Sequence, residues 1–201
     1  MPKSHRLIYI LYAIIWLLLA INPRYRGDWL LENLLVFFFV PFIIWMDYKH
    51  RYTLPSVILI ALFAILHSVG SHYTYAQMEY FNTITNFFHF ERNHFDRLVH
   101  FLFGLLTFRI LFEMSINVTK NAKSTLLFTL LLIIAISTVY ELLEWLAAAI
   151  FNPELGLAFL GTQGDVWDAQ KDILLAMIGG MINILFYGSY RRLWQQKEGE
   201  K

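Results

Sequence analysis

Residues 91–104 read ERNHFDRLVHFLFG. Asp96 and His100 are four apart, so a helix sets a carboxylate and an imidazole on one face. Two more acidic pairs follow the same spacing rules. Glu141 and Glu144 lie in STVYELLEWLAA, and Asp168 and Asp172 lie in GDVWDAQKDILLAMIGGMIN. Such groups take and give protons as general acids and bases. Oxygen donors joined by an imidazole also suit a divalent cation such as Mg, Mn, Zn or Fe rather than a soft metal. The candidate catalytic residues are therefore Asp96, His100, Glu141, Glu144, Asp168 and Asp172. A divalent metal ion is the implied cofactor, with Asp96, His100, Glu144, Asp168 and Asp172 as candidate ligands. Arg97 is the candidate anion partner, and His72 and Gln163 join it as candidate substrate-binding residues.

Several carboxylates at one depth cannot all stay ionised unaided, because like charges in low dielectric raise one another's pKa. Cationic partners, shared protons or a bound cation would each relieve them. Each feature also has a purely structural alternative. Asp96 and His100 can be a helix-start ion pair, and Asn93 can cap the same helix. The acids of the later helices can be a hydrogen-bond network that fixes packing. His67 reads as a satisfied interior imidazole, and Glu91, Arg92 and His94 read as interfacial. Arg109 and Glu113 read as an ordinary surface pair. The stretch FLGTQGDVWDAQ is either a lid over a pocket or a plain turn.

The elements that must carry these residues are visible in the composition. Of 201 residues, 58% are hydrophobic and 15% charged, against about 45–50% and 25% in soluble domains. The excess falls in apolar blocks of roughly 15–25 residues, long enough to cross a bilayer core of about 30 Å. An all-α, polytopic membrane bundle in one domain over 1–201 is expected. Six spans are the simplest parse, at about 6–22, 30–46, 54–75, 94–114, 123–150 and 168–188. The first block follows Lys3 and Arg6 and is not followed by a small-residue cleavage pattern, so it reads as an uncleaved span. Lys and Arg concentrate at Lys3, Arg6, Lys49, Arg51, Lys120, Lys123, Arg191 and Arg192, which makes that side, and both termini, cytoplasmic. The 152–167 loop is then an outer membrane-surface loop. Membrane lipids are the expected partners. A net charge of +1 and the lack of any long basic run give no reason to expect nucleic acid, and the absence of cysteine removes disulfides and thiolate ligands.

At 100° per residue, Asn93, Asp96, Arg97, His100, Gly104 and Thr107 fall on one arc of the fourth span. Ser137, Glu141, Glu144 and Ala148 make a stripe on the fifth. Asp165, Asp168, Asp172, Ala176, Gly179 and Asn183 make one on the sixth, and His67, Ser71, His72 and Tyr75 align more loosely on the third. Small residues on the same faces let membrane helices approach closely. A charge facing lipid at a helix centre costs roughly 2.5–3.5 kcal/mol even on the lenient insertion scale. These faces must therefore point inward, and the orientation puts their ionisable groups in the outer half, as one polar pocket opening outward.

Several familiar membrane-enzyme signatures are missing, among them G-x-S-x-G and H-E-x-x-H. The blocks ERNHFDRLVHFLFG, YELLEW and FLGTQGDVWDAQKD together resemble the YjdF-like bacterial inner-membrane proteins, over about residues 30–190. The layout of Asp96 and His100, a Glu-bearing span and an Asp-rich span is more remotely similar to VanZ-like membrane proteins. The resemblance implies a multi-span helical protein of the bacterial cytoplasmic membrane, and no particular activity. Three readings follow from the pocket itself. One is a metal-dependent site acting on an envelope lipid or amphiphilic small molecule. Another is a proton- or cation-coupled transporter. The third is a non-catalytic structural partner of other membrane proteins.

Overall fold

The computed structural model describes residues 1–150 and 162–199, and among these the chain is helical without strands. The long helices are α1 (Lys3–Leu19), α2 (Arg26–His50), α3 (Leu54–Tyr73), α5 (Phe95–Ser115), α6 (Ala122–Ile150), α7 (Asp168–Ile184) and α8 (Tyr187–Gly199). A short α4 (Asn82–Phe87) and two single 3₁₀ turns fill the connection from α3 to α5. Among the described residues, four helices are long and apolar enough to cross a membrane: α2, α3, α5 with its following 3₁₀ turn, and α6. The pair α7 and α8, bent by 76° at their junction, makes a fifth if taken as one broken span. Each of the six hydrophobic segments read from the sequence coincides with one of α1, α2, α3, α5, α6 and α7. The part of the 152–167 loop covering 152–161 lies outside the described residues.

Local chemistry sets the helix ends. Pro55 sits in the first turn of α3, where a missing N–H costs nothing. Arg51 takes a left-handed conformation (φ 51°) that ends α2, its N–H donating to the Asp47 carbonyl. At α5 the N-cap position belongs to His94, and Asn93 acts one residue earlier by accepting the Phe95 N–H at 3.0 Å.

The bundle centres on α5, which packs against α3, α6 and α7, while α1 and α2 pack on α3. Lipid tails are as apolar as leucine, so close van der Waals fit rather than water exclusion must hold such helices together. The α5–α7 crossing supplies that fit. A Cβ on Gly104 would run into the Ala176 carbonyl, and one on Gly179 into the Phe101 carbonyl. Below the crossing Asn183 donates to the Leu105 carbonyl at 3.1 Å and accepts from Tyr190 at 2.7 Å. Phe108, Phe112 and Ile133 form a fully buried apolar layer. Leu17, Phe38, Leu131, Leu142 and Trp145 point outward, as lipid-facing side chains should.

One sequence expectation is corrected at the end of the bundle that carries both termini. Glu113 is 5% exposed and is not half of a surface pair with Arg109. Its carboxylate accepts the Thr53 N–H at 2.9 Å and the hydroxyls of Thr53 and Ser56, and Lys197 Nζ stands 3.8 Å away. The acid closes the start of α3, whose first N–H groups would otherwise lack acceptors. Nearby, His5 and Asp47 form a second buried pair at 2.9 Å, joining α1 to α2.

Candidate polar site at one end of the bundle

The turn spacing of α5 places Asp96 and His100 on its buried face, and close approach of α7 brings Asp172 opposite them. One ligand atom from each of Asp96, His100 and Asp172 lies within 4.8 Å of the other two. From α6, Glu141 Oε1 approaches His100 Nε2 to 3.4 Å, and Asp96 Oδ1 lies 3.6 Å from the same nitrogen. Neither carboxylate is a hydrogen-bonded partner of the ring in this geometry. Glu141 Oε1 and Asp172 Oδ1 are buried with no hydrogen-bond partner among the described residues. A buried unsatisfied carboxylate oxygen is costly, and α6 and α7 each bring one to this group.

A second layer surrounds this group. Tyr140 packs edge-on against His100 with ring centroids 5.7 Å apart, and its hydroxyl donates to Glu32 Oε2 at 2.8 Å. Glu32 comes from α2 and is 4% exposed, with Asp28 buried one turn earlier. Glu144 is buried one turn beyond Glu141 and lies within electrostatic reach of Glu32 and Asp96. His67 accepts the Tyr75 hydroxyl at Nδ1, 2.5 Å, and faces the Glu32 carbonyl with Nε2 at 3.3 Å. Both ring nitrogens are occupied, so His67 has no lone pair left for a cation.

An ion network at the starts of α5 and α7 caps the group, and this end is its mouth. Asp168 pairs with Arg92 and stands 3.2 Å from Arg97, while Asp165 pairs with Arg97 and with Lys171 at 2.6 Å. Arg92 also donates to the Thr162 carbonyl at 3.0 Å. Gln163 and Asn93 exchange two hydrogen bonds, each 2.9 Å, through side chain and backbone. Asp165 lies outside the apolar segments. The Lys171 ammonium first, then the Trp167 N–H and Arg97, hold its carboxyl well below the usual range.

The sequence-derived candidates thus separate into groups. Asp96, His100, Glu141 and Asp172 converge, with Glu144 beside them. Asp168 and Arg97 are committed to the network at the mouth, and Gln163 is pinned to Asn93. Arg92, read as interfacial, is part of that network, with a side chain only 9% exposed. His72 is not brought to the group: its Nδ1 donates to the Leu19 carbonyl at 2.7 Å, tying α3 to α1. Glu32, Asp28 and Tyr140 were missed. The available signal was a pair of acids near the start of an apolar run, since ionisable residues inside spans are functional candidates by default.

Helices long and apolar enough to span a bilayer, enclosing carboxylates and an imidazole at one end, define a multi-pass membrane protein with an interior polar site. The family described as "Predicted membrane protein (DUF2238)" matches residues 4–193, and the chain belongs to it. It is 30% identical over 180 residues to "Inner membrane protein YjdF" of Escherichia coli (strain K12), an alignment covering 89% of this chain and 86% of that protein. No solved structure matches. The inner membrane is accordingly where this multi-pass chain resides.

Proposed function

We propose that Asp96, His100 and Asp172 hold a divalent cation, and that Glu141 works beside it on a polar group of an envelope lipid or other amphiphile. In this reading α1 also crosses, since 17 residues fall within the span range of about 17–25. The membrane is then crossed six times, both termini are cytoplasmic, and the site lies near the outer face. The Lys and Arg bias toward the opposite end supports that orientation.

The observation that carries the proposal is the convergence of three donor atoms from two helices within 4.8 Å, with Asp172 Oδ1 and the neighbouring Glu141 Oε1 lacking hydrogen-bond partners among the described residues. Cation–ligand bonds of roughly 2.1–2.4 Å separate opposite donors by at most about 4.2–4.8 Å. A bound cation would lower the pKa of a water it holds, and Glu141, 3.4 Å from His100, would accept the proton. Phe108 and Ile133, both fully buried below the site, argue against a relay to the other face.

Elemental analysis of detergent-purified protein tests this. Wild type should carry close to one divalent ion per chain, and Asp172→Asn and His100→Ala should lose most of it while keeping normal membrane levels. Equal metal content in all three proteins would overturn the proposal.

A further inference from the structure

At the end of the bundle that carries both termini, a cavity of about 470 Å³ lies among the α2–α3 connection, the turn after α5, and α8. Lys49, Arg51 and Lys197 supply its cationic lining, with the His50 imidazole beside them. Lys197 donates to the Arg51 carbonyl at 2.7 Å, so α8 is tied to the α2–α3 connection. Glu113 also borders the cavity, but its carboxylate is 1% exposed and turned into the start of α3. Lys49, His50, Arg51 and Asn117 are the exposed residues of the lining.

The surroundings fit the headgroup level of a bilayer. Lys49 Nζ lies 5.4 Å from the centroid of the Trp45 ring, and Tyr48 is exposed on the same turn of α2. The 76° bend turns α8 away from the α7 axis, with Tyr190 and Leu193 buried and Arg191 and Arg192 exposed. Cations gathered around a recess between helix ends at this level form the chemistry that receives a lipid phosphate.

We propose that this cavity binds the phosphate of an anionic lipid headgroup. The cavity sits beyond the Phe108–Ile133 layer from the Asp96 group, so the inference does not rest on the function proposed above. The phosphate chemistry alone would also admit a soluble phosphate. What favours lipid is the aromatic and amphipathic border, which a solute-binding recess does not need.

Thermal unfolding of the full chain in neutral detergent provides the test, with added phosphatidylglycerol, phosphatidylcholine or inorganic phosphate at matched concentration. Phosphatidylglycerol should raise the midpoint by several degrees, and the other two should not. The exposed double variant Lys49→Gln/His50→Gln should lose most of that rise. A second double variant, Lys120→Gln/Lys123→Gln, removes at least as much positive charge from the same end outside the cavity and should keep it. Equal shifts with both lipids, or equal loss in both variants, would overturn the proposal. A full shift from inorganic phosphate alone would overturn the lipid assignment. If Lys49→Gln/His50→Gln unfolds before lipid is added, Arg51→Asn, which tolerates the left-handed backbone, replaces it with the same expected loss.

Discussion

The hydroxyl of Tyr140 donates to the carboxylate of Glu32 at 2.8 Å, although 108 residues separate them. This bond fastens α2, which packs on α3 and is tied to α1 by the His5–Asp47 pair, to the helix carrying Glu141 and Glu144. Tyr140 also presses its ring edge against His100. One side chain therefore links a peripheral helix to the imidazole of the central group.

Tyr140→Phe should leave Glu32 buried without its donor. Stranding a buried acceptor costs about 1–3 kcal/mol, more when it is charged, so the unfolding midpoint in detergent should fall by several degrees. Glu32→Gln keeps an acceptor for the hydroxyl and should lose less. If the two variants melt alike, the bond is not what holds α2.

Asp168 and Asp172 should part company under mutation. Asp168→Asn breaks a buried pair with Arg92, whose loss costs about 3–5 kcal/mol when one partner remains. Metal content should persist in whatever protein folds. Asp172→Asn should melt near wild type and lose metal. The reverse pattern, measured by melts and elemental analysis on the same samples, would reassign the ligand.

Acidity should weaken the mouth. The Asp165 carboxyl is held below its usual range in the folded chain, so its contribution is complete above the unfolded pKa of about 4. That contribution is lost as pH falls through the lower, folded value. Wild type should therefore show a steeper decline in midpoint below about pH 4 than Asp165→Asn. Parallel curves for the two proteins would remove this group from the explanation.

Gly104→Ala forces a methyl against the Ala176 carbonyl, a backbone atom that cannot rotate away. Overpacking of this kind costs about 1–3 kcal/mol or more, and a lowered midpoint should accompany reduced metal content because α5 and α7 move apart. Gly188→Ala, with open space around it, should melt at or slightly above the wild-type midpoint.

The helical periodicity of α5, α6 and α7 was enough to place Asp96, His100, Glu141 and Asp172 on inward faces. Polar groups in an apolar medium have few tolerable directions, so the face argument was strong there. It could not decide which acid an arginine would take. Arg92 reaches Asp168 from the preceding loop, and no helical repeat connects a loop to a helix across 76 residues. His72 lay on a plausible face, yet the free carbonyl at the end of α1 claimed it. Glu32 escaped although Asp28 and Glu32 share one face of α2 four residues apart, because both lie at the very start of an apolar run. Its importance comes from Tyr140, a contact between helices that neither segment announces. Glu113 looked superficial because Arg109 sits at the next turn, while its real partners begin α3.

The glycine contacts between α5 and α7 have a further result. Because main chain touches main chain there, the separation of Asp96 and His100 from Asp172 is set by two stiff rods rather than by adjustable side-chain packing. Such jaws cannot widen for a larger guest or pinch for a smaller one without shifting a whole rod. Discrimination among ions at this position would follow radius before charge or donor preference.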